Sequence, residues 1–121
     1  MTKHEEILRH LEELRTAVPE LKGVLLASNE GLPVAHSFTN GSDAQRLAAM
    51  AAAAASLGRR IGDTLGVGSL AEISVTGSEG QVYVYSAGSK AVLAVVSPAG
   101  SNAGLIHLEA RSVAHGIGQL L

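Results

Sequence analysis

The stretch RLAAMAAAAASLGRR, Arg46–Arg60, has no charged residue over the twelve positions 47–58. Alanine has the highest helix propensity of all residues, so this stretch predicts a helix. Ser42 and Gln45 fit a capping box at its start, and the helical pattern continues to about Leu65. A helix with so few charged side chains has few groups that water can solvate. We therefore expect it to have apolar neighbours on more than one side.

The residues of this long helix sort into three faces when they are projected at about 100° per residue. The first face, called here the small-residue stripe, holds Ala44, Ala48, Ala51, Ala55, Gly58 and Gly62. The second, called the large apolar face, holds Leu47, Met50, Leu57, Ile61, Leu65 and Ala54. The third, which suits contact with solvent, holds Gln45, Arg46, Ala49, Ala53, Ser56, Arg60 and Asp63.

The first two faces predict two different packing partners. We expect the large apolar face to pack on the sheet of its own chain. The small-residue stripe lets another helix approach closely, and a second copy of the chain is the obvious candidate because a twofold axis makes the contact self-complementary. Alternatively, the alanines reflect helix propensity alone, or the stripe packs on the first or third helix of the same chain. A charged fraction of 17%, against about 25% in soluble domains, favours the dimer.

The segments before the long helix predict an amphipathic helix and a hairpin. The helix begins with a capping box of Thr2 and Glu5 and ends near Val18, because Pro19 disfavours helical geometry there. The apolar run 23–28 and the segment 32–38 form the hairpin. Its second strand carries Pro33, which lacks an N–H group for the ladder, so this strand lies at a sheet edge.

The segments after the long helix predict a three-stranded meander and a closing helix. The first strand, Leu70–Thr76, alternates apolar and polar residues, and short turns join it to the strands 81–87 and 91–97. The last of these strands is apolar at consecutive positions, as in a central strand. Ser101 or Asn102 caps the closing helix. Its apolar stripe holds Ile106, Ala110, Val113, Ile117 and Leu120. We therefore expect one domain of the α+β class over residues 1–121.

Composition excludes several partners and compartments. A net charge of −2 and a pI near 6.2, with only Phe38, Tyr83 and Tyr85 as aromatic residues, argue against nucleic acid. The longest apolar run is far below the about 20 residues that cross a bilayer, so we expect no membrane insertion. No cysteine and no signal peptide are present, which indicates a cytoplasmic protein.

Motifs for catalysis and cofactors do not occur in the sequence. The five histidines never have the four-residue spacing that places two metal ligands on one helical face. Gly66, Gly68 and Ala71 nominally fit a dinucleotide fingerprint, but they lie between a helix and a strand rather than the reverse. Arg59 and Arg60 could reach a nucleotide on a partner protein, although such a pair more often complements the negative end of its helix. We expect no cofactor and no enzymatic activity.

Three segments carry a resemblance to a known family. They are ELKGVLLASNEGLPVAHS at 20–37, DAQRLAAMAAAAASLGRRIGDTLG at 43–66, and YVYSAGSKAVLAVVS at 83–97. With the element order, they resemble the roadblock family, the dynein light chain roadblock-type domain, and the helix at 102–121 looks like that of bacterial members. The resemblance implies a three-layer α/β/α roadblock (profilin-like) fold. Its five-stranded antiparallel sheet has the order 2-1-5-4-3, with the first and third helices on one face.

The resemblance also implies a homodimer. Dimers in the family pair their third strands and lay their second helices side by side, which agrees with the twofold contact inferred from the small-residue stripe. The predicted dimer interface holds Ala44, Ala48, Ala51, Ala55, Gly58, Arg59, Gly62, Leu70, Glu72, Ile73, Ser74, Val75 and Thr76.

The function implied by the resemblance is regulation of a small Ras-like GTPase. Bacterial relatives commonly accompany such GTPases, as activators of hydrolysis or as non-catalytic adaptors in signalling systems. Two alternatives remain, a small-ligand sensor module and a purely structural dimerisation adaptor. An aromatic content of 2% without Trp or Cys argues against a flavin or heme pocket.

Overall fold

The computed structural model describes residues 1–39 and 43–121. In chain order its elements are α1 (Lys3–Ala17), β1 (Gly23–Ser28), β2 (Pro33–Phe38), α2 (Ala44–Leu65), β3 (Glu72–Thr76), β4 (Gly80–Ala87), β5 (Ala91–Pro98) and α3 (Ala103–Leu120). The predicted order of helices and strands is confirmed. β3 is shorter at its start than predicted, because the carbonyl oxygen of Leu70 accepts from the Ser86 hydroxyl rather than from a backbone N–H group.

Side-chain caps define the starts of the helices. The predicted capping box of α1 is confirmed, since Thr2 accepts from the backbone N–H of Glu5 while the Glu5 carboxylate accepts from that of Thr2. Asn102 accepts from Leu105 at the start of α3. In α2 the N-cap is Asp43, and the predicted cap at Ser42 lies outside the described residues together with the predicted break at positions 40–41.

The five strands form one antiparallel sheet in the order β2-β1-β5-β4-β3. β5 lies at the centre and is buried at consecutive positions, as its continuous apolar run predicts. β2, with Pro33, forms one edge, and β3 forms the other. Both edges agree with the sequence prediction.

Two apolar clusters cover opposite faces of this sheet. Alternate residues of β1 point to different clusters, Val24 and Leu26 to one, Leu25 and Ala27 to the other. The first cluster contains the buried residues of α1 and α3, and the second contains Ala48, Ala51 and Ala55 of α2. The predicted three-layer α/β/α arrangement is therefore confirmed.

The small-residue stripe of α2 packs on the sheet of its own chain, so the prediction that it faces a second copy is wrong. Its members Ala48, Ala51, Ala55, Gly58 and Gly62 are buried, and Ala44 is half-buried against the same cluster. A Cβ atom added to Gly62 would lie 2.8 Å from the carbonyl oxygen of Gly68, which shows how closely the chain packs on the stripe.

The size of the sheet's side chains explains this orientation. Leu25, Val84 and Val92 fill the space between the sheet and α2. Interiors are closely packed, so a helix facing such side chains contributes small residues of its own. Close packing on a sheet and close packing on another helix require the same small residues, and the spacing within α2 does not distinguish the two.

The large apolar face is correspondingly the exposed one, which corrects the second part of the prediction. Met50, Leu57, Ile61 and Leu65 are between 47% and 71% exposed, whereas Leu47 and Ala54 are half-buried. The two apolar faces of α2 thus have the opposite roles to those predicted from the helical projection.

Candidate functional site

An exposed apolar surface extends along α2 and onto the edge strand β3. We call it the α2–β3 surface and define it by the exposed residues Met50, Leu57, Ile61, Leu65, Val67 and Val75. Exposed large apolar residues are normal when scattered singly, but a contiguous patch marks an interaction site. The structure therefore places its candidate functional site on this side of α2.

Two depressions lie within the α2–β3 surface. A groove of about 210 Å³ is lined entirely by apolar residues, namely Leu47, Met50, Ala51, Ala54, Val75, Val82 and Val84. A cleft of about 440 Å³ lies beside the last turns of α2, where Ile61 faces Leu70 and Ile73. Open apolar depressions of this kind accept apolar side chains better than they accept a polar small molecule.

The edge strand supplies the other half of the surface. Ile73 and Val75 face the α2 side of the sheet, while Glu72 faces α3. Ser74, Val75 and Thr76 are exposed, and Leu70, Glu72 and Ile73 are half-buried. The β3 members of the predicted interface therefore remain candidates, whereas the small-residue stripe does not.

Arg59 lies away from the edge strand, which corrects its inclusion in the predicted interface. Its guanidinium donates to Asn29 Oδ1 at 3.2 Å, and the Asn29 amide donates to the carbonyl oxygen of Ser89 at 2.8 Å. Asn29 belongs to the turn between β1 and β2, on the far side of the sheet from β3. Arg59 thus links α2 to two turns of its own chain.

A polar cluster, called here the α3–β3 cluster, joins the closing helix to the edge strand. The Tyr85 hydroxyl lies 2.7 Å from His107 Nδ1, which lies 3.1 Å from Glu72 Oε2. Arg111 donates to Glu72 Oε1 through Nε at 3.0 Å and also through Nη2. These contacts turn the Glu72 side chain toward α3 and hold the edge strand against that helix.

Sequence reasoning missed this cluster. The strand register places Glu72 beside Tyr85, so alternation could have put the two side chains on one face. His107 and Arg111 come from a helix whose distance from β3 no sequence pattern reveals. The hydrogen bond to Glu72 raises the pKa of the exposed Arg111. The pKa of the Tyr85 hydroxyl is raised above its ordinary value mainly by burial and, to a smaller extent, by the negative charge of Glu72.

We expect Tyr85→Phe to lower the free energy of unfolding by about 1 kcal/mol near neutral pH, because one hydrogen bond is lost. The raised pKa of Tyr85 means that the unfolded chain releases the phenol proton at a lower pH than the folded chain. Wild-type stability therefore falls as the pH rises through about 10 and beyond, and the variant loses less. Urea unfolding at about pH 7 and about pH 11 measures this difference; equal losses in both proteins would contradict it.

Among residues 1–39 and 43–121, no three His, Cys, Asp or Glu side chains come together in a group that could hold a metal ion. Within those same ranges no helix combines the length and apolar character needed to cross a bilayer.

The three-layer arrangement, with an edge strand open beside an apolar helix face, defines an α/β/α domain of the roadblock type. Residues 7–97 match the family model of the Roadblock/LC7 domain. The chain belongs to this family, as the resemblance of its sequence indicates.

The chain is also similar to individual relatives in sequence and to solved structures in fold. The chain is 30% identical over 97 residues to the uncharacterized protein MJ1340 of Methanocaldococcus jannaschii, covering 80% of this chain and 84% of the relative. It superposes on MglB in a tetrameric arrangement with a TM-score of 0.91 and 22% identity, covering 99% of this chain and 90% of the other. For a Roadblock/LC7 domain from Streptomyces avermitilis the TM-score is 0.84 at 25% identity, with 90% and 92% covered.

Proposed function

We propose that the chain is a homodimeric regulator or scaffold for a small Ras-like GTPase and is non-catalytic by itself. The observation that carries this proposal is the α2–β3 surface, which joins an apolar helix face to an open strand edge. Membership of the Roadblock/LC7 family supports the GTPase as partner, because bacterial relatives commonly accompany such proteins. The fold shared with MglB agrees with that assignment.

The dimer forms through the α2–β3 surface. An open edge strand presents unpaired backbone groups, and an apolar helix face beside it adds a second aggregation hazard. Pairing β3 with β3 of a second copy satisfies the edge and brings the large apolar faces of the two α2 helices together. A twofold axis allows both contacts at once, since each copy offers the same two features.

The GTPase binds the composite surface of the dimer, which orders the switch loops of the nucleotide-bound partner. Arg59 favours this scaffolding role over direct catalysis, because its guanidinium is held by Asn29 in the same chain. Any acceleration of hydrolysis then comes from the partner's own residues, brought into position by the dimer.

Phosphate release and nucleotide exchange by the small Ras-like GTPases of the source organism test the proposal. We expect a complex on gel filtration and a change in one of these rates of about tenfold, which corresponds to about 1.4 kcal/mol in the barrier. A complex without a rate change supports the scaffold over the regulator. No complex and no rate change would remove the GTPase and leave a structural dimerisation adaptor.

Arg59→Ala is the control for the catalytic role. We expect the variant to retain the effect on the GTPase within about threefold, because the Arg59 guanidinium is held by Asn29 and supplies no charge to the transition state. Loss of the whole effect, with the dimer intact, would show that Arg59 leaves Asn29 and acts on the nucleotide.

A further inference from the structure

The backbone of β3 directs alternate residues toward its open edge. The carbonyl oxygen of Ala71 accepts from Ser86 at 3.4 Å, and the N–H of Gly77 donates to Gly80 at 2.8 Å, so both residues point toward β4. Backbone groups alternate along a paired antiparallel strand, and the odd-numbered residues between these two also point inward. Glu72, Ser74 and Thr76 therefore direct their N–H and C=O groups away from the sheet.

A second copy related by a twofold axis can pair at least two of these three outward residues with each other in three registers, all of which keep Ile73 and Val75 on the α2 side. An axis at Ser74 pairs Ser74 with itself and Glu72 with Thr76 in both directions. All three outward residues are then used, giving about six backbone hydrogen bonds at two for each facing pair. An axis at Ile73 or Val75 uses only two of the three, giving about four.

We propose that Ser74 lies on the twofold axis of the homodimer. This inference rests on the proposed self-association and specifies which residues of the two copies face each other. Ile73 of one copy lies opposite Val75 of the other, on the same side as the two α2 helices.

Charge argues against the register with the axis at Ile73. With the axis at Ser74, the two Glu72 carboxylates are about 13 Å apart along the strands, at about 3.3 Å per residue. Moving the axis to Ile73 brings them to about half that offset, and like charges close together across a sheet destabilise it. Glu72 is also held toward α3 by Arg111 and His107 of the same chain, away from the edge where the two β3 strands pair.

The α2 side of the surface is compatible with this axis. The apolar groove contains Val75, and the cleft that contains Ile61 includes Ile73, so the two depressions lie on either side of Ser74. A twofold rotation at Ser74 directs Ile61 of each copy toward the groove of the other. A bulky residue then meets the part of the helix where Ala51 and Ala54 leave space.

Single cysteines in this cysteine-free chain test the register. For Ser74→Cys we expect near-complete oxidation to a covalent dimer on a non-reducing gel, because facing Cα atoms are about 5.5 Å apart and disulfides span about 4.4–6.8 Å. Ile73→Cys and Val75→Cys are the matched controls. Neither should cross-link efficiently, because each copy's cysteine is displaced from its twin by two residues.

Mixing two variants gives an independent readout. Glu72→Cys and Thr76→Cys chains should each remain uncross-linked alone and form a covalent heterodimer when mixed. Efficient cross-linking of Ile73→Cys or Val75→Cys, or a dimer in which Ser74→Cys stays reduced, would overturn the register while leaving the dimer. A wild-type chain that sediments as a monomer would instead refute the proposed self-association itself.

Discussion

Ala55→Glu is expected to destabilise the fold severely. Ala55 has no exposed surface and packs in the cluster with Leu25, Val84 and Val92. A carboxylate there is buried without a partner, and we expect the free energy of unfolding to fall by about 4 kcal/mol or more. That loss is a large part of the about 5–15 kcal/mol that a typical domain has. Circular dichroism and urea unfolding measure it.

Ala53→Glu is the matched control, because Ala53 is exposed on the same helix two residues away. We expect it to change the free energy of unfolding by less than about 0.5 kcal/mol. An Ala55→Glu chain as stable as Ala53→Glu and newly monomeric would mean that the small-residue stripe faces a second copy after all.

The second large effect is expected for Ile61→Asp, which should separate the dimer into folded monomers. Ile61 is 47% exposed in the single chain, so an aspartate there reaches water in the monomer. In the dimer the same carboxylate is buried in both copies. We expect the dissociation constant to rise at least about a hundredfold, which corresponds to about 2.7 kcal/mol. Sedimentation equilibrium measures the constant, and circular dichroism checks the fold.

Ser56→Asp controls for added charge on α2. Ser56 is exposed on the face that was assigned to solvent from the sequence, away from the α2–β3 surface. The variant should dimerise as the wild type does. Unchanged dimerisation of Ile61→Asp would indicate association through a different surface, and an unfolded Ile61→Asp chain would mean that Ile61 stabilises its own domain.

The two variants together distinguish the two faces of α2. A charge in the small-residue stripe should lower the free energy of unfolding. A charge on the large apolar face should weaken the dimer and leave the fold intact. The sequence-based expectation was the reverse assignment of these faces. The comparison of Ala55→Glu with Ile61→Asp therefore tests the orientation of the helix directly.

The candidate site was only partly predictable. The β3 strand was recognised as an open edge because short turns restrict the meander to antiparallel neighbours and the family resemblance supplies the sheet order. The stripe and Arg59 were assigned wrongly, and the contacts of His107 and Arg111 with Glu72 were not foreseen. Each of these depends on the position of a helix relative to the sheet, which involves contacts between residues far apart in the chain.

Local sequence patterns were sufficient to predict the helices, the strands, the capping box at Thr2 and the alternation along β3, because these follow from local backbone preferences and from the periods of helix and strand. Which apolar face of α2 is interior became clear only from the packing of the helix on the sheet. Both faces avoid water, so hydrophobicity does not choose between them. The choice depends on volume, since Leu25, Val84 and Val92 already fill the space above the sheet and leave room only for alanine and glycine.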